Sequence, residues 1–385
     1  MIHVGADVHI RNSVLNAKDE DGQVLARGRC GNTMLELSRF FAPLERRARA
    51  TGEPIRVVME STGNSRAMQR LLTRYGREAG IDLTAEVLHA RKLRVIAESV
   101  NKCDRVDADI LTELSRSNLK LPTCYMPDDE EFALREHLRA RSDLVKIRTM
   151  IKNRAHAILH RRGILTPKTD IFSQAGGRFL DQLNLDPAGR TILDRFRELL
   201  GQLDASINDS TASLRSLTRE PRWAKPAVLL QTMPGIGLIT SMTILAELGQ
   251  LTRFRSRAAV ANYAGLVPRH RDSDQKRWSG GITRRGPAHL RGILIEAAWI
   301  ATPRVPVYQA LFQRIEQKKN KKTAIVAVAR RMLEDAWMLL IKDEAFRYVP
   351  VSVGDPHGSR ARRSANPEHR ERRSRVSKAA SSVAG

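Results

Sequence analysis

Cysteine is scarce in this 385-residue chain: Cys30, Cys103 and Cys124 are the whole complement, and no C-x-x-C spacing occurs. That excludes a disulfide framework and argues against a cysteine-ligated zinc site. The first residues lack the pattern of a secretory leader. A long apolar run is also missing. The most apolar stretch, Ala324 to Ile341, is broken by Arg330, Arg331, Glu334 and Asp335, so it reads as a core helix and not as a membrane span. Acidic residues are in deficit, 42 Asp+Glu against 66 Lys+Arg, which leaves a net charge of +24. An excess of that size points to a polyanionic partner, because cations laid along a phosphate backbone release its counterions. The expectation is a soluble protein of a reducing compartment that binds nucleic acid and no membrane, with room for two or three domains.

The N-terminal stretch reads as strands and helices in the order βββ, then alternating α and β. Met1–His9, Ser13–Asn16 and Gln23–Ala26 carry strand signals, the last two joined by the turn Asp19-Glu20-Asp21-Gly22. Met34, Leu37, Phe40, Phe41 and Leu44 have helical spacing, Ile55–Met59 is a buried strand ending at Glu60, and a helix follows from about Asn64 to Tyr75. Leu83–Leu88 is a further strand candidate. Three strands that can pair as a meander, followed by strands that need crossovers, predict a mixed sheet with helices on its faces.

From Phe132 to about His160 the chain is helical and basic, with Arg141, Arg148, Lys152 and His156 on one face. That face is read as phosphate-contacting; Arg148 and Lys152 on it, and Arg154 on the same helix, are the candidate nucleic-acid contacts. Residues 161–189 look like a connection with a short helix. Arg190–Leu217 shows heptads: Leu193, Leu200, Ile207 and Leu214 on one seam position, and Phe196, Leu203, Ser210 and Leu217 on the other. This predicts a coiled-coil hairpin or an oligomer contact, with an intramolecular bundle as the alternative. A new module starts near Pro226. Its P-G-I-G, residues 234–237, leads into a helix Leu238–Leu248, a helix-hairpin-helix pattern in which the N–H groups around Gly235 and Gly237 grip a DNA backbone. Another helix is expected over Phe254–Leu266, then a polar loop from Val267 to Gly286 and a helix Ala288–Ala301. The tail, 351–385, holds eight basic and three acidic residues with almost no large apolar group, and is expected to be a disordered, weak nucleic-acid binder.

Four acids carry the chemistry. Asp7 sits in the first strand and Glu60 ends the next central one. If those strands are neighbours, their ends lie about 5 Å apart. In N-K-C-D-R-V-D-A, read as a helix start, Asp104 and Asp107 share one face. Alone, that pair is two solvated acids welcomed by the helix dipole. Converging with Asp7 and Glu60, it makes a hard-oxygen site suited to Mg²⁺ or Mn²⁺.

These stretches, V-G-A-D-V-H, V-V-M-E-S-T-G-N and N-K-C-D-R-V-D-A, resemble the DEDD-type transposases of insertion sequence family 110, bridge-RNA-guided recombinases related to the RuvC resolvases. The likeness continues through K-N-R at 152–154, T-M-P-G-I-G, Y-A-G-L-V-P at 263–268 and G-G-I-T-R-R-G-P-A-H-L-R at 280–291 to A-V-A-R-R-M-L at 327–333. It covers roughly residues 2–342, without the tail.

The resemblance implies an α/β, RNase H/RuvC-like N-terminal domain over 1–130 and a basic-helix and coiled-coil region over 131–220. A mostly α transposase domain with the helix-hairpin-helix follows over 221–345, and the disordered tail over 346–385. It implies Asp7, Glu60, Asp104 and Asp107 as metal ligands and a serine nucleophile in the loop after G-L-V-P. Ser273 takes that place. Asp274 stands where a glycine is common and Asp272 precedes the serine, so Ser279, before Gly280-Gly281, is a second candidate. Cys103 stands where threonine is common. Arg284, Arg285 and Arg291 are further nucleic-acid contacts. The implied partners are donor and target DNA, a structured guide RNA and further copies of the chain in a dimer or tetramer, all in the bacterial cytoplasm at the nucleoid. Two other readings stay open: a RuvC-like Mg²⁺-dependent endonuclease without a covalent intermediate, and a non-catalytic nucleic-acid-binding protein.

Overall fold

The computed structural model describes residues 1–93, 104–117, 119–166, 170–273 and 276–348. It divides into two compact units, Met1–Pro127 and Asp128–Gly385.

The first unit is an α/β layer structure. Its strands are β1 (Ile2–Val8), β2 (Asn12–Lys18), β3 (Val24–Gly31), β4 (Ile55–Glu60) and β5 (Leu83–Leu88). The helices are α1 (Met34–Thr51), α2 (Ser65–Ala79), the single turn α3 (Ala90–Leu93) and α4 (Asp104–Arg116). The five-stranded sheet has the order β3-β2-β1-β4-β5. β1 runs antiparallel to β2 and parallel to β4, so the meander and the crossovers expected from the sequence share β1 as their hinge strand. The acidic turn does what its residues suggest: Gly22 adopts φ +86° and the Asp19 carboxylate accepts from the Gln23 N–H at 2.8 Å.

A central strand is covered on both faces, and β1 is almost wholly buried, with Ile2, Val4, Ala6 and Val8 on one face and His3, Gly5 and Asp7 on the other. On one face Ile2, Val4, Ala6, Val57 and Met59 pack under Leu37, Phe41 and Leu44 of α1 and Met68, Leu72 and Tyr75 of α2. On the other, Val58 and Leu88 pack with Leu111, Leu114 and Leu121. Each such fully buried side chain contributes roughly 1.5–3 kcal/mol relative to exposure.

The start of β4 is tied by Glu53, whose carboxylate accepts from Arg47 Nε at 2.9 Å, the Met1 amino group at 3.1 Å and Thr51 Oγ1 at 3.0 Å. Chiefly through Arg47, these bonds hold the Glu53 carboxyl down at about 2. A depressed carboxyl stabilises the fold fully above its unfolded value near 4.5 and progressively less as pH falls towards 2. Glu53→Gln is therefore expected to flatten the loss of stability between pH 5 and pH 3 in urea titrations. An unchanged slope would refute the assignment.

The second unit is helical apart from one β-hairpin. In chain order it contains α5 (Asp129–His160), α6 (Gln174–Gln182), α7 (Pro187–Leu217), α8 (Pro221–Gln231), α9 (Leu238–Leu248) and α10 (Arg257–Tyr263). Strands β6 (Pro268–Ser273) and β7 (Lys276–Ile282) precede α11 (Ala288–Ala301), α12 (Pro306–Lys318) and α13 (Lys321–Lys342). Side chains cap the helix starts: Asp128 on α5, Ser173 on α6, Asp186 on α7, Ser256 on α10 and Asn320 on α13 each accept from the N–H three residues on.

α5 and α7 form an antiparallel hairpin. Leu193, Leu200, Leu203, Ile207 and Leu214, the heptad positions, are buried, and Ala155 and Ile151 of α5 lie in the same clusters. The seam that allowed an oligomer contact is thus filled from within the chain. Beyond it, α9 is buried all round from Thr240 to Leu248, as expected of a helix apolar on every side, and α8, α11 and α13 close around it.

Two expectations need correction. The helix over 254–266 is the shorter α10, capped by Ser256 and stopped where Gly265 turns to φ +68°. The polar loop over 267–286 is largely the antiparallel pair β6–β7, whose density of charge hides the strand alternation. Among the described residues no helix is long and apolar enough to cross a membrane. Residues 349–385, most of the expected disordered tail, lie outside the described residues.

Candidate active site

β1 and β4 are aligned so that Gly5 faces Val58 and Ala6 faces Met59. One step further along both strands stand Asp7 and Glu60, at the carboxyl ends of neighbouring parallel strands about 4.8 Å apart. Side chains alternate across a sheet. Since Ala6 and Met59 point into the α1–α2 core and Val58 into the α4 side, Asp7 and Glu60 belong to the face that α4 covers.

Helix α4 crosses β1 antiparallel. Ser115 Oγ meets His3 Nδ1 at 3.0 Å, and Thr112 Oγ1 accepts from the Gly5 N–H at 3.1 Å. Gly5 makes that approach possible: a Cβ there would stand 2.2 Å from the Ala108 carbonyl oxygen and 2.5 Å from the Thr112 nitrogen. Moving from His3 to Gly5 to Asp7 advances about 6.6 Å per step, which matches four to five residues of helix. Four to five residues before Thr112 stand Ala108 and Asp107, and Asp104 lies about one turn further towards the helix start. The His9 ring stands 3.1 Å from Asp7 Oδ2 and joins the same end of the sheet.

A set of carboxylate oxygens has the chemistry to hold a divalent cation. Among the described residues, no three Asp, Glu, His or Cys side chains are gathered closely enough to share one. The Asp104 side chain and Cys103 lie outside the described residues. The backbone thus places Asp7 and Glu60 at one end of the sheet, with the start of α4 running towards that end.

In the second unit, Ser273 is the last residue of β6, in register with Lys276, while Ser279 lies further down the ribbon opposite His270. Both side chains, and Asp274, lie outside the described residues. The foot of the hairpin is interlocked. Gly265 (φ +68°) lies so close to Arg285 that a Cβ would be 2.0 Å from its carbonyl oxygen. Gly286 (φ +86°) lies so close to Tyr263 that a Cβ would be 1.9 Å from its oxygen. Thr283 N donates to Val267 O at 2.9 Å and Arg284 N to Gly265 O at 3.2 Å. Arg284 itself takes φ +53°, a left-handed conformation that a non-glycine residue holds only when its surroundings enforce it.

Arg291, expected to touch nucleic acid, ties this foot together. Its Nη1 donates to the carbonyls of Ala264, Arg285 and Gly286 at 3.0–3.2 Å. Burial lowers its pKa from the ordinary arginine value. Arg284 and Arg285 are exposed beside it. The basic stripe of α5 is likewise divided. Arg148 binds Asp204 at 2.9 Å, Lys152 binds Asp170 at 3.2 Å and Arg141 donates to Thr211 at 2.8 Å, so these three serve the hairpin, whereas Arg154 is exposed. Gly235 (φ +86°) packs on α11, where a Cβ would meet the Ala297 carbonyl at 2.4 Å. Gly237 is the exposed residue preceding α9.

Reading the sequence missed Thr112, His3 and Ser115, small polar residues that carry no motif. It also missed Glu247, buried on α9 and paired with Arg139 at 3.2 Å. A polar cavity of about 300 Å³ beside that pair is lined by Lys146 and His289 among others, and burial lowers the His289 pKa.

Residues 4–162 match a family model described as a transposase, of the DEDD type of IS110 elements. Residues 227–313 match the model "Transposase IS116/IS110/IS902 family". The chain is 25% identical over 316 residues to the transposase for insertion sequence element IS1111A of Coxiella burnetii, covering 76% of this chain and 79% of that protein. It is 25% identical over 349 residues to the transposase for insertion sequence element IS1328 of Yersinia enterocolitica, covering 89% of this chain and 98% of the relative. With the pilin gene-inverting protein of Moraxella bovis it shares 29% identity over 207 residues, 52% of this chain and 59% of the other.

Proposed function

Because the chain belongs to the IS116/IS110/IS902 transposase family, enzymes that cleave and rejoin DNA, we propose that it recombines a mobile element through a covalent serine–phosphate link. The observation that supports this reading is the placing of Asp7 and Glu60 at the carboxyl ends of neighbouring parallel strands, on the face along which α4 runs. Asp7, Glu60, Asp104 and Asp107 would hold Mg²⁺ or Mn²⁺, which when bound neutralises charge at the scissile phosphate. The Ser273 oxygen forms a bond to phosphorus as the bond to one deoxyribose oxygen breaks. The serine proton leaves to a nearby base or water, and the departing oxygen takes up a proton. A second DNA hydroxyl reverses the step, with strand exchange passing through a Holliday-junction-like intermediate, so the phosphodiester energy is kept for rejoining.

Ser273 is favoured over Ser279 because it ends a strand at the tip of a ribbon whose foot is fixed. The acids and the serine belong to different units of the chain, and we read them as meeting between copies in a dimer or tetramer. The domains in this reading are the RuvC-like 1–130, the hairpin region 131–220, the transposase domain 221–345 with its helix-hairpin-helix, and the tail. Donor and target DNA are gripped by the exposed Gly237 end of α9 and by Arg284 and Arg285, with Gly235 shaping the turn. A structured guide RNA, bound through phosphates, fits Arg154 on the outside of α5. The protein works in the bacterial cytoplasm, at the nucleoid.

The test is covalent capture. DNA carrying the element ends and a target, with the element's own RNA and Mg²⁺, is incubated with the protein, denatured and digested. Mass spectrometry is expected to find a nucleotide on the peptide bearing Ser273. A nucleotide on the Ser279 peptide would move the nucleophile. Cleavage without any adduct would indicate an endonuclease using water, and neither cleavage nor adduct a non-catalytic binder.

A further inference from the structure

We propose that Thr112 is a positioning residue of the acid site: its hydroxyl, set between β1 and β2, fixes the station of α4 along β1 and so sets the first turn of α4 against Asp7 and Glu60. The proposal rests on reading those acids as an ion site.

Thr112 is wholly buried, and its Oγ1 has three backbone partners from three elements. It accepts from the Gly5 N–H of β1 at 3.1 Å. Its own proton has two carbonyls within reach, Asn16 of β2 at 3.0 Å and Ala108 of α4 at 2.8 Å. Gly5 and Asn16 face each other across the β1–β2 pair, so the hydroxyl stands between two residues already in register. A helical threonine bonding the carbonyl four residues back is ordinary. A helical threonine that also accepts from a central strand N–H is not, and only the missing Cβ at Gly5 lets the helix come that near.

The tie has leverage. Asp107 precedes Thr112 by five residues and Asp104 by eight, so both ride on the helix this hydroxyl registers. α4 has further ties: Ser115 to His3 at its far end, Glu113 to Lys18 at 2.6 Å, and Asp109, nearer the first turn, which accepts from Asn16 Nδ2 and from Arg27 Nη2 at 2.6 Å. Thr112 differs from these in bonding the backbone of the central strand β1. A slide of one helical residue shifts the acids by about 1.5 Å and turns them by about 100°. Ion ligands do not tolerate that, and groups orienting ligands from behind typically carry 10–100-fold in metal affinity.

Thr112→Val keeps the branched shape and removes the hydroxyl; Thr112→Ser keeps the hydroxyl. Two readouts on the full-length, DNA-free protein decide the matter: Mn²⁺ affinity by calorimetric titration, and amide hydrogen exchange at Gly5. In the valine variant Mn²⁺ affinity is expected to fall about 10–100-fold and Gly5 exchange to accelerate. The serine variant is expected to stay within about threefold of wild type, a margin small beside that loss. A folded valine variant that binds Mn²⁺ like wild type, whatever its melting temperature, overturns the proposal and makes Thr112 a packing residue. Should valine prevent folding, a folded serine variant with lost affinity overturns it, and one with retained affinity and slow Gly5 exchange supports it. Wild-type protein that takes up no Mn²⁺ overturns the ion-site reading itself, and this proposal with it.

Discussion

Ser273→Ala is expected to abolish the protein–DNA adduct and to lower strand joining by about 10⁴-fold or more, because nothing of the covalent route survives the loss of its nucleophile. The hairpin foot does not depend on this side chain. Gly265, Gly286 and Arg291 hold it through backbone contacts, so the variant should fold and bind DNA like wild type. Ser279→Ala is the control. Ser279 lies opposite His270 within the ribbon, and its loss is expected to leave the adduct in place. Denaturing gels with end-labelled DNA read both. Adduct that persists in Ser273→Ala and vanishes in Ser279→Ala would reverse the assignment. Adduct in neither variant would mean that both serines are needed, one of them for placing the other.

The second large effect is expected at the acids. Asp7→Asn and Glu60→Gln keep shape and remove one charge each, and either should lower DNA cleavage by about 10³-fold or more, the scale on which removal of a key electrostatic group acts. Stability separates this from damage. Asp7 and Glu60 end neighbouring strands, where like charges repel, while Asp7 also faces the His9 ring at 3.1 Å, so neutralising either acid is expected to change the melting temperature little. Mg²⁺ should raise the wild-type melting temperature, since a ligand bound only by the folded state stabilises it, and that rise should shrink in both variants. A variant that loses cleavage, melts early and keeps its response to Mg²⁺ would point to a structural role.

Both expectations start from what was legible in the order of residues. β5 and α9 fall on the residues their patterns predict, because an apolar run with clear punctuation leaves little choice. Asp7 and Glu60 were readable as neighbours because a βββ-then-crossover order puts their strands side by side, and the register of β1 on β4 does so. The face they share was not readable. It follows from Gly5, whose missing side chain admits α4, and a single glycine in a strand announces no particular partner. The partners of Arg148, Lys152 and Arg291 were not legible either, because the carboxylates and carbonyls that take these cations lie 56, 18 and up to 27 residues away in sequence. The β6–β7 ribbon escaped notice because strands polar on both sides lack the alternation that betrays a half-buried strand.

The interlocked glycines at the foot of that ribbon divide the tolerance of the chain to change. At Gly265 and Gly286 two backbones touch, each against the segment that carries the other, so a side chain at either cannot be accommodated by repacking. At Gly281, within the ribbon, a Cβ would meet nothing within 4 Å. The ribbon's ends are already pinned, and the helical core is closed beneath it by α9, α11 and α13. A segment clamped at its foot, where Ile282 packs against the core, can be shortened, lengthened by residue pairs or exchanged for another ribbon above that foot without unfolding what supports it. That makes this part of the molecule an interchangeable tool-holder, in which the reacting tip can be altered while its mount is kept.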